Sequence, residues 1–385
     1  LSMTYLEYKI RAVPKGFTKL FFLNWPIILL LCAAGAIGII MLTSVAGNSW
    51  HPWASAQLKR FFVGFVLMIS IAMTPIWFWK SMSVLAYITS LGLLLLVEFF
   101  GSTGMGAQRW LDLGFINLQP SEMAKITLVM VLAFYYDWLP DERTSKPLWI
   151  IAPLAMIFLP FFLVLQQPDL GTSLLIVLGG GVMMFLAGVH WGYFGAALSL
   201  GVGGIFAVFY SRGKDWQLLN DYQYRRIDTF LDPSSDPLGA GYHITQSKIA
   251  LGSGGWTGRG FGQGTQSRLN FLPEKHTDFI FTTLAEEFGF IGGISLLIVY
   301  ALIVVFAIIA AIRNKDRFSS LLIYGVTFTF FLYFAVNMAM VMGLAPVVGV
   351  PLPLVSYGGS SLLVLMVAFG LLQSAHVHKP RGVIW

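Results

Sequence analysis

The pattern of apolar and polar positions divides the chain into long apolar segments separated by shorter polar ones. Ten segments reach or approach the roughly 18 residues at which an apolar run indicates a membrane-spanning helix. They cover residues 24–45, 61–79, 83–101, 121–138, 148–165, 171–188, 191–210, 279–312, 318–344 and 354–376. The segment 279–312 is longer than one crossing requires, so we expect it to tilt or to project beyond the membrane. The pattern predicts an all-α integral membrane protein with about ten transmembrane helices.

The longest polar stretch, residues 211–277, lies between the seventh and eighth predicted helices. The chain therefore forms a single polytopic membrane domain: an N-terminal segment at 3–23, spans within 24–210 and 278–376, and a tail at 377–385. With both termini in the cytoplasm, the termini and inner loops contain 12 Lys and Arg residues and the short outer loops contain 3. Because short cytoplasmic loops are enriched in Lys and Arg, this bias predicts cytoplasmic termini and a large extracytoplasmic loop.

Composition excludes a soluble protein. Only 11% of the residues are charged, against roughly 25% in an average soluble domain, which is too few to cover a water-facing surface. The net charge of +6 lies mainly in loops, where it meets anionic headgroups of membrane lipid, so nucleic acid is not an expected partner. The single cysteine, Cys32, lies in an apolar segment, which excludes an intrachain disulfide and a thiolate metal site.

Charged residues near the ends of the predicted helices are functional candidates because charge within a bilayer is costly. Glu122 and Lys125 are three residues apart and share a helix face, where they can form a salt bridge, line a polar cavity, or do both. Arg109 and Trp110 lie in a preceding glycine-rich segment, which we expect to be a re-entrant or interfacial loop. Trp110 is either an interfacial anchor or a wall of a substrate groove in which Arg109 faces phosphate. Asp169 is predicted to cap the helix that follows it.

The densest polar cluster is FLPEKHTDFIF at 271–281, which contains Glu274, His276 and Asp278. Asp278 enters an apolar helix at the outer interface, where partial desolvation strengthens a carboxylate as a proton acceptor. The alternative is that Asp278 is only a helix N-cap. The earlier run GRGFGQG superficially resembles a phosphate loop, but no strand precedes it, so we expect a compact loop lying back on the membrane.

Two further features follow this cluster. At least one of Glu286 and Glu287 should face a polar interior, since both lie well inside the predicted helix. The run VVGVPLPLVSYGGSS at 347–361 contains prolines and glycines that break helical backbone near membrane depth, where such backbone must be buried in protein or line a cavity. Ser356 adds polar lining there, and no adjacent base in the sequence suggests a serine nucleophile.

Six motifs in this order resemble the SEDS family of membrane proteins, and within it the rod-shape-determining branch. They are GAQRWLDLG, QPSEMAKI, QPDLGTS, LDPSSDPLGAGYHITQSKIALGSGG, GTQSRLNFLPEKHTDFIF and PLPLVSYGGSS. The resemblance implies a peptidoglycan glycosyltransferase that polymerises lipid II into glycan strands at the outer face of the membrane during cell elongation and shape maintenance. It implies Asp278 as the catalytic carboxylate, a functional Trp110, and Glu122 with Lys125 as the pair lining the central cavity.

The same resemblance implies a setting and partners. The setting is the bacterial cytoplasmic (inner) membrane. The expected partners are lipid II, the growing glycan strand, a class B penicillin-binding protein and other proteins of the elongation complex. Two alternative functions are a lipid II flippase and a non-catalytic scaffold for a penicillin-binding protein. The polar clusters gather at the predicted outer side, which favours chemistry there over transport through the bilayer.

The chemistry expected of such an enzyme is an inverting displacement in which Asp278 accepts the proton of a sugar hydroxyl while a lipid pyrophosphate leaves. The charge of the leaving group must be stabilised. Candidate substrate-binding residues are Arg109, Arg225, Arg226, Lys248, Arg259, Glu274, His276 and Ser356. A divalent cation, Mg²⁺ or Mn²⁺, is a further way to stabilise that charge, held by pyrophosphate and one or two carboxylates, because the sequence shows no metal cage of protein ligands. No organic cofactor is expected.

Overall fold

The computed structural model describes residues 10–11, 14, 16–104, 107–112, 114, 117–167, 169–214, 216–219, 221–232, 240–269, 271, 275–379 and 381–382. Its helices are α1 (Trp25–Val45), α2 (Trp53–Met73), α3 (Ile76–Phe100), α4 (Pro120–Trp138), α5 (Pro147–Gln166), α6 (Leu170–Leu186), α7 (Trp191–Ser211), α8 (Asp221–Leu231), α9 (Ala240–Ser253), α10 (Thr265–Arg268), α11 (Ile280–Ile312), α12 (Arg317–Val341) and α13 (Ser360–Val377). A 3₁₀ helix at Gly16–Phe22 precedes α1, and another at Asp141–Arg143 joins α4 to α5.

The mostly helical membrane fold predicted from the sequence is confirmed. Within the described part of the chain, eight helices are long and apolar enough to cross a membrane: α1, α2, α3, α5, α7, α11, α12 and α13. The predicted fourth and sixth segments are also helical, as α4 and α6. Helix α4 is more polar than the others because it contains Glu122 and Lys125, and α6 is a shorter apolar helix of 17 residues.

The predicted boundaries of the second and tenth spans are wrong. A single helix was expected over 61–79, but α2 ends and α3 begins on either side of Pro75. The proline ring disfavours helical backbone at the residue before it, and Thr74 is extended, with ψ 134°. The tenth helix was expected from residue 354 and begins only at Ser360, since the proline- and glycine-containing segment before it is not helical. The break predicted within 347–361 is therefore present, and only the start of the following helix was placed too early.

Helix α4 is the centre of the bundle. It contacts α3, α5, α6, α12 and α13, and most of its length is buried. Helices α2 and α13 pack along each other at one side, and α1 packs against α11. Because protein rather than lipid surrounds α4, this helix can contain charged residues that a lipid-facing helix would not tolerate.

Two small sheets complete the fold. Strands β2 (Ser102–Gly104), β3 (Ala107–Asp112) and β4 (Asn117–Leu118) form an antiparallel sheet in the order β2-β3-β4, so the expected re-entrant or interfacial loop contains a sheet instead. Strands β1 (Ile10–Arg11) and β5 (Arg381–Gly382) pair in antiparallel fashion, which brings the two ends of the described chain together.

The long helix α11 is interrupted near its start. Gly289 has φ 65° and ψ −160°, a conformation open to glycine but not to other residues. Residues of the glycine-rich run, 254–264, fill the interruption: Arg259 N donates to Glu286 O at 3.0 Å, and Gly260 N donates to Glu287 O at 2.9 Å. This run is a compact loop, as predicted, and it packs against α11.

Candidate functional site

The segment immediately before α11 is fixed by three hydrogen bonds from distant parts of the chain. The main-chain carbonyls of His276, Thr277 and Asp278 each accept from a different donor. In that order the donors are Tyr357 N at 2.8 Å, Ser356 Oγ at 2.5 Å and Asn337 Nδ2 at 2.9 Å. Because these donors come from α12 and from the segment before α13, the last third of the chain determines where Asp278 lies.

Asp278 lies one residue before the N-cap of α11, which is Phe279, so it is not the cap residue. Its side chain is only partly buried. The Oδ2 atom lies 3.7 Å from the point that a Cβ atom on Gly349 would occupy. Gly349 is part of the broken backbone before α13, so the carboxylate lies beside a segment that has no side chain at this point.

The residues that donate to this segment are themselves fixed by further hydrogen bonds. Ser356 Oγ accepts from Leu352 N at 2.8 Å while it donates to Thr277. Asn337 is fully buried, and its amide also donates to Val350 O at 2.7 Å. A buried amide that spans two carbonyls locks both segments, because a donor left without a partner in that environment is costly. The site is thus preorganised around Asp278.

His276 connects this segment to the N-terminal end of α2. Its ring stacks on the indole of Trp53, with ring centres 4.7 Å apart and planes at 12°. The His276 ring centre is also 6.1 Å from that of Tyr357, and the Arg60 guanidinium lies 4.8 Å from the centre of the Tyr357 ring. His276 is therefore part of an aromatic row at the site, and its predicted contact with substrate stays a prediction.

Glu122 and Lys125 form a second polar cluster inside the bundle. Lys125 Nζ donates to Glu122 Oε1 at 2.7 Å, as the helical spacing predicts, and both residues are buried. Tyr333 of α12 completes the cluster, since its hydroxyl donates to Glu122 Oε2 at 2.5 Å and its ring centre lies 4.2 Å from Lys125 Nζ. A small cavity of about 30 Å³, lined mainly by apolar side chains, lies against all three residues and reaches Ser356. The predicted salt bridge is present, and the cavity beside it is small.

Arg109 is engaged by the start of α6. Its Nη1 lies 3.7 Å from Asp169 Oδ2, and its Nε donates to Gln167 O at 3.1 Å. Asp169 Oδ1 accepts from Thr172 N at 3.1 Å, which confirms the predicted helix cap. Trp110 lies next to Arg109 on β3 and is partly buried. These contacts give Arg109 a structural role, and its predicted contact with phosphate stays a prediction.

The other predicted basic residues are dispersed. Arg225 is exposed on α8, and Arg226 lies on the same helix with a side chain outside the described part. Lys248 of α9 passes over Gly343, where an added Cβ would lie 2.4 Å from Lys248 Cε. Arg259 points at Thr265 and Glu286 rather than into a cavity. Glu274 lies outside the described residues.

The residues that follow the glycine-rich run bind a buried carboxylate of α11. Glu286 is completely buried, and its Oε1 accepts from Thr265 N at 2.8 Å, Thr265 Oγ1 at 2.9 Å and Gln266 N at 3.2 Å. The neighbouring Glu287 accepts a short hydrogen bond from Ser44 Oγ. The first residues of α10, directly after the glycine-rich run, therefore bind the Glu286 carboxylate, and both glutamates face a polar interior as predicted.

Sequence reasoning missed Asn337 and Tyr333. Each is a polar residue inside an otherwise apolar run of α12, and such residues are costly in a membrane unless they have partners. That signal was available in the sequence. Their partners were not, because Asn337 and Tyr333 contact residues 59 and 211 positions away.

A family model for FtsW, RodA and SpoVE, described as "Cell cycle protein", matches residues 23–381. The chain belongs to this family. The predicted resemblance is thereby confirmed, and the match covers every helix from α1 to α13. The polytopic membrane architecture is that of a FtsW/RodA/SpoVE protein.

Relatives within the family support this membership along nearly the whole chain. The peptidoglycan glycosyltransferase MrdB of Escherichia coli K12 is 42% identical over 354 residues, covering 91% of this chain and 93% of that protein. The probable peptidoglycan glycosyltransferase FtsW of Escherichia coli O6:H1 is 34% identical over 352 residues, covering 88% of this chain and 82% of that protein.

Solved structures confirm the fold. A chain from a study of how a peptidoglycan synthase complex coordinates polymerization and crosslinking superposes with a TM-score of 0.77 and is 28% identical, covering 92% of this chain and 97% of that one. The crystal structure of the rod shape determining protein RodA of Thermus thermophilus gives a TM-score of 0.68 at 26% identity, covering 92% of this chain and 96% of that one.

Proposed function

We propose that this member of the FtsW/RodA/SpoVE family is a peptidoglycan glycosyltransferase that polymerises lipid II during cell elongation. Its relatives are named for that activity, and the 42% identity to one of them extends over 91% of the chain. The structural observation that carries the proposal is the fixed segment at the start of α11. Three consecutive carbonyls are held there from the last third of the chain, and the third belongs to Asp278.

In the proposed reaction, Asp278 is the general base. The 4-hydroxyl oxygen of an incoming lipid II attacks the anomeric carbon of the growing strand, and its proton passes to the Asp278 carboxylate. The bond between that carbon and the lipid pyrophosphate breaks, the pyrophosphate takes the bonding electrons, and the configuration inverts. Pyrophosphate leaves as an anion without protonation, so a second carboxylic acid of the kind used by glycosidases is unnecessary.

The fixed backbone supports this role physically. A general base acts only within hydrogen-bond reach of the proton that it removes, so its position must be set before substrate binds. The Asn337 amide and the Ser356 hydroxyl set that position through the main chain. They are positioning residues, because they act on Asp278 rather than on the substrate.

Glu122, Lys125 and Tyr333 would contribute a polar wall inside the bundle. The cavity that they line reaches Ser356, whose hydroxyl holds Thr277 next to Asp278. A polar group of the substrate that approaches this wall would meet a charged pair already neutralised by its own hydrogen bonds. Such a wall can orient polar groups at a smaller desolvation cost than an isolated charge.

A divalent cation stays a proposal without a defined site. Among the residues that the structure describes, no group of three His, Cys, Asp or Glu side chains is close enough to hold a metal ion. The described residues therefore offer no complete protein cage, and a bound Mg²⁺ or Mn²⁺ would depend on pyrophosphate oxygens for most of its ligands. No step of the mechanism above passes through such an ion.

We further propose a class B penicillin-binding protein as the partner and the outer face of the inner membrane as the place of reaction. A similar solved chain comes from a complex that coordinates polymerization with crosslinking. The antiparallel pairing of Ile10–Arg11 with Arg381–Gly382 supports placing both termini on one side, and the excess of 12 over 3 basic residues supports the cytoplasmic side.

The decisive experiment is polymerisation of purified lipid II in detergent with the partner present. Wild type should produce long glycan strands, whereas Asp278→Asn should produce none while eluting as a folded protein. Asp221→Asn, an exposed carboxylate on α8, is the matched control and should retain activity. Equal polymer from wild type and Asp278→Asn would remove Asp278 from the mechanism. No polymer from wild type, together with transfer of lipid II across vesicle membranes, would favour a flippase.

A further inference from the structure

One face of α1 carries two openings, one above the other. Ile37, Ile40 and Met41 line an apolar groove, and Ser44 to Gly47 line a second opening at the end of the helix. Residues 37, 41 and 44 recur at the spacing that places side chains on one helix face. At 1.5 Å of rise per residue, Ile40 and Gly47 are about 10 Å apart along the axis. The two openings are therefore neighbours along a single line.

The inner opening is an apolar groove between α1 and α11. It has a volume of about 470 Å³ and is lined by Ile37, Ile40, Met41, Thr257, Leu284, Phe288, Ile291, Gly292 and Ser295. Ile40 and Ile291 are about half exposed, so the groove opens to the surroundings of the bundle. A groove of this composition, beside a membrane helix, suits a hydrocarbon chain.

The outer opening is basic and aromatic. It has a volume of about 400 Å³, and its lining includes Arg268 from the end of α10, Lys275 from the segment before α11 and Trp53 from α2. The Trp53 ring stacks on His276, two residues before Asp278. Two cationic side chains facing one cavity match the charge of a phosphate or pyrophosphate group.

The wall between the openings is rigid. Ser44 Oγ donates a short hydrogen bond to Glu287 at the interruption of α11. Glu286 receives hydrogen bonds from the N-terminal residues of α10, and Arg268 is the last residue of that helix. The buried glutamates thus fix the position from which Arg268 reaches the outer opening.

We propose that the two openings form one binding site for a polyprenyl pyrophosphate. The prenyl chain occupies the groove between α1 and α11, and the pyrophosphate lies between Arg268 and Lys275. This inference rests on the proposed function, because it identifies the place where the leaving group of that reaction is held. It assigns stabilisation of the leaving group to Arg268 and Lys275, which are not among the basic residues predicted from the sequence to bind substrate.

Neutral amides at the outer opening provide the first test. Binding of radiolabelled polyprenyl pyrophosphate is measured in detergent, with every variant built on Asp278→Asn so that turnover does not interfere. Lys275→Gln and Arg268→Gln should each weaken binding about tenfold, the effect of losing one charge-assisted contact. Lys275→Arg should retain binding. Lys59→Gln removes an exposed cation on α2 outside the cavity and is the control, which should bind as the parent does.

A bulky side chain in the groove provides the second test. Ser295 and Ser199 both lie exposed on apolar helices and both donate to the carbonyl four residues earlier, but only Ser295 lines the groove. Ser295→Trp should therefore weaken binding of the full-length lipid about tenfold or more and leave a soluble pyrophosphate unaffected. Ser199→Trp should change neither.

Two outcomes would overturn the inference. Unchanged binding in Lys275→Gln, Arg268→Gln and Ser295→Trp, all folded as judged by thermal unfolding, would show that the site lies elsewhere. Equal displacement of the label by phosphatidylglycerol would show a general site for anionic lipid. The proposed function is judged separately by polymerisation with the native Asp278: polymer from wild type together with unchanged binding leaves that function intact and refutes only this site.

Discussion

Two carboxylates near the start of α11 differ in how the protein treats them. Glu286 is completely buried, and one of its oxygens accepts three hydrogen bonds from Thr265 and Gln266. Asp278, eight positions earlier, is only partly buried. The hydrogen bonds from Asn337 and Ser356 that fix its segment are accepted by main-chain carbonyls.

The difference separates a structural anion from a reactive one. A fully buried carboxylate, one of whose oxygens accepts three hydrogen bonds, is stabilised as part of the fold, and substrate cannot reach it. A carboxylate whose backbone is fixed while its side chain stays partly exposed is preorganised for proton transfer. Both lie in the same helix region, so residue type and sequence position do not distinguish them.

The sharpest form of this comparison is the effect of Asp278→Ala on activity and on stability. Polymerisation should fall about 10²–10⁴-fold, the usual contribution of a general base. The free energy of unfolding should change by no more than about 0.5 kcal/mol, as is typical of substitutions outside the core. Glycan products on gels and thermal unfolding in detergent measure the two effects. A large loss of stability would make Asp278 a structural residue like Glu286.

Glu286→Ala should show the opposite balance. Three donors would lose their acceptor in a buried place, which we expect to cost about 3 kcal/mol or more of folding free energy. The glycine-rich loop should also become accessible to hydrogen exchange. Glu286→Gln keeps one acceptor oxygen and should cost less. An unchanged thermal midpoint in Glu286→Ala, with activity lost, would contradict the structural assignment.

Tyr333→Phe tests whether the Glu122 cluster belongs with the structural anions. Loss of one hydrogen bond to a buried charged group should destabilise the protein by about 1.5–3 kcal/mol. The control is Tyr324→Phe on the same helix, whose hydroxyl is absent from the cluster around Glu122. Equal unfolding temperatures for the two variants would show that Tyr333 contributes nothing to the pair.

Asn337→Leu tests whether the buried Asn337 amide positions Asp278 for catalysis. The variant keeps the branching and the number of heavy atoms of the side chain but removes the donors to Asp278 O and Val350 O. We expect kcat for polymerisation to fall about tenfold, a barrier increase of about 1.4 kcal/mol, with little change in KM. A role in packing alone would instead lower stability and leave kcat of the folded fraction unchanged, which active-site titration of that fraction would reveal.

The smallest effect expected is a pH dependence at Lys275. Partial burial lowers the pKa of the Lys275 ammonium below its ordinary range. Between that lowered pKa and the pKa in the unfolded chain, the folded protein holds fewer protons, so its stability should rise with pH across this window. Binding of pyrophosphate should weaken over the same window, because the lysine loses its charge. Lys275→Gln should abolish both slopes, and a slope that persists would assign it to another group.

Local spacing determined the features that the sequence predicted correctly. A bilayer requires long apolar segments, and these marked the helices and excluded a soluble protein. The pairing of Glu122 with Lys125 and the cap by Asp169 involve residues three positions apart, so helix geometry alone specifies them. The order of six motifs placed the chain in a family that its matched residues confirm.

Only the tertiary structure decided which polar residues meet. Asn337 reaches Asp278 across 59 positions, and Tyr333 reaches Glu122 across 211. Three other features likewise depend on how distant helices pack. They are the approach of Arg268 and Lys275 to one cavity beside α1, the hydrogen bonds from α10 to Glu286, and the interruption at Gly289. The physical reason is that hydrophobicity fixes which segments enter the membrane, whereas close packing and the satisfaction of buried polar groups select their partners, and those conditions involve residues remote in the sequence.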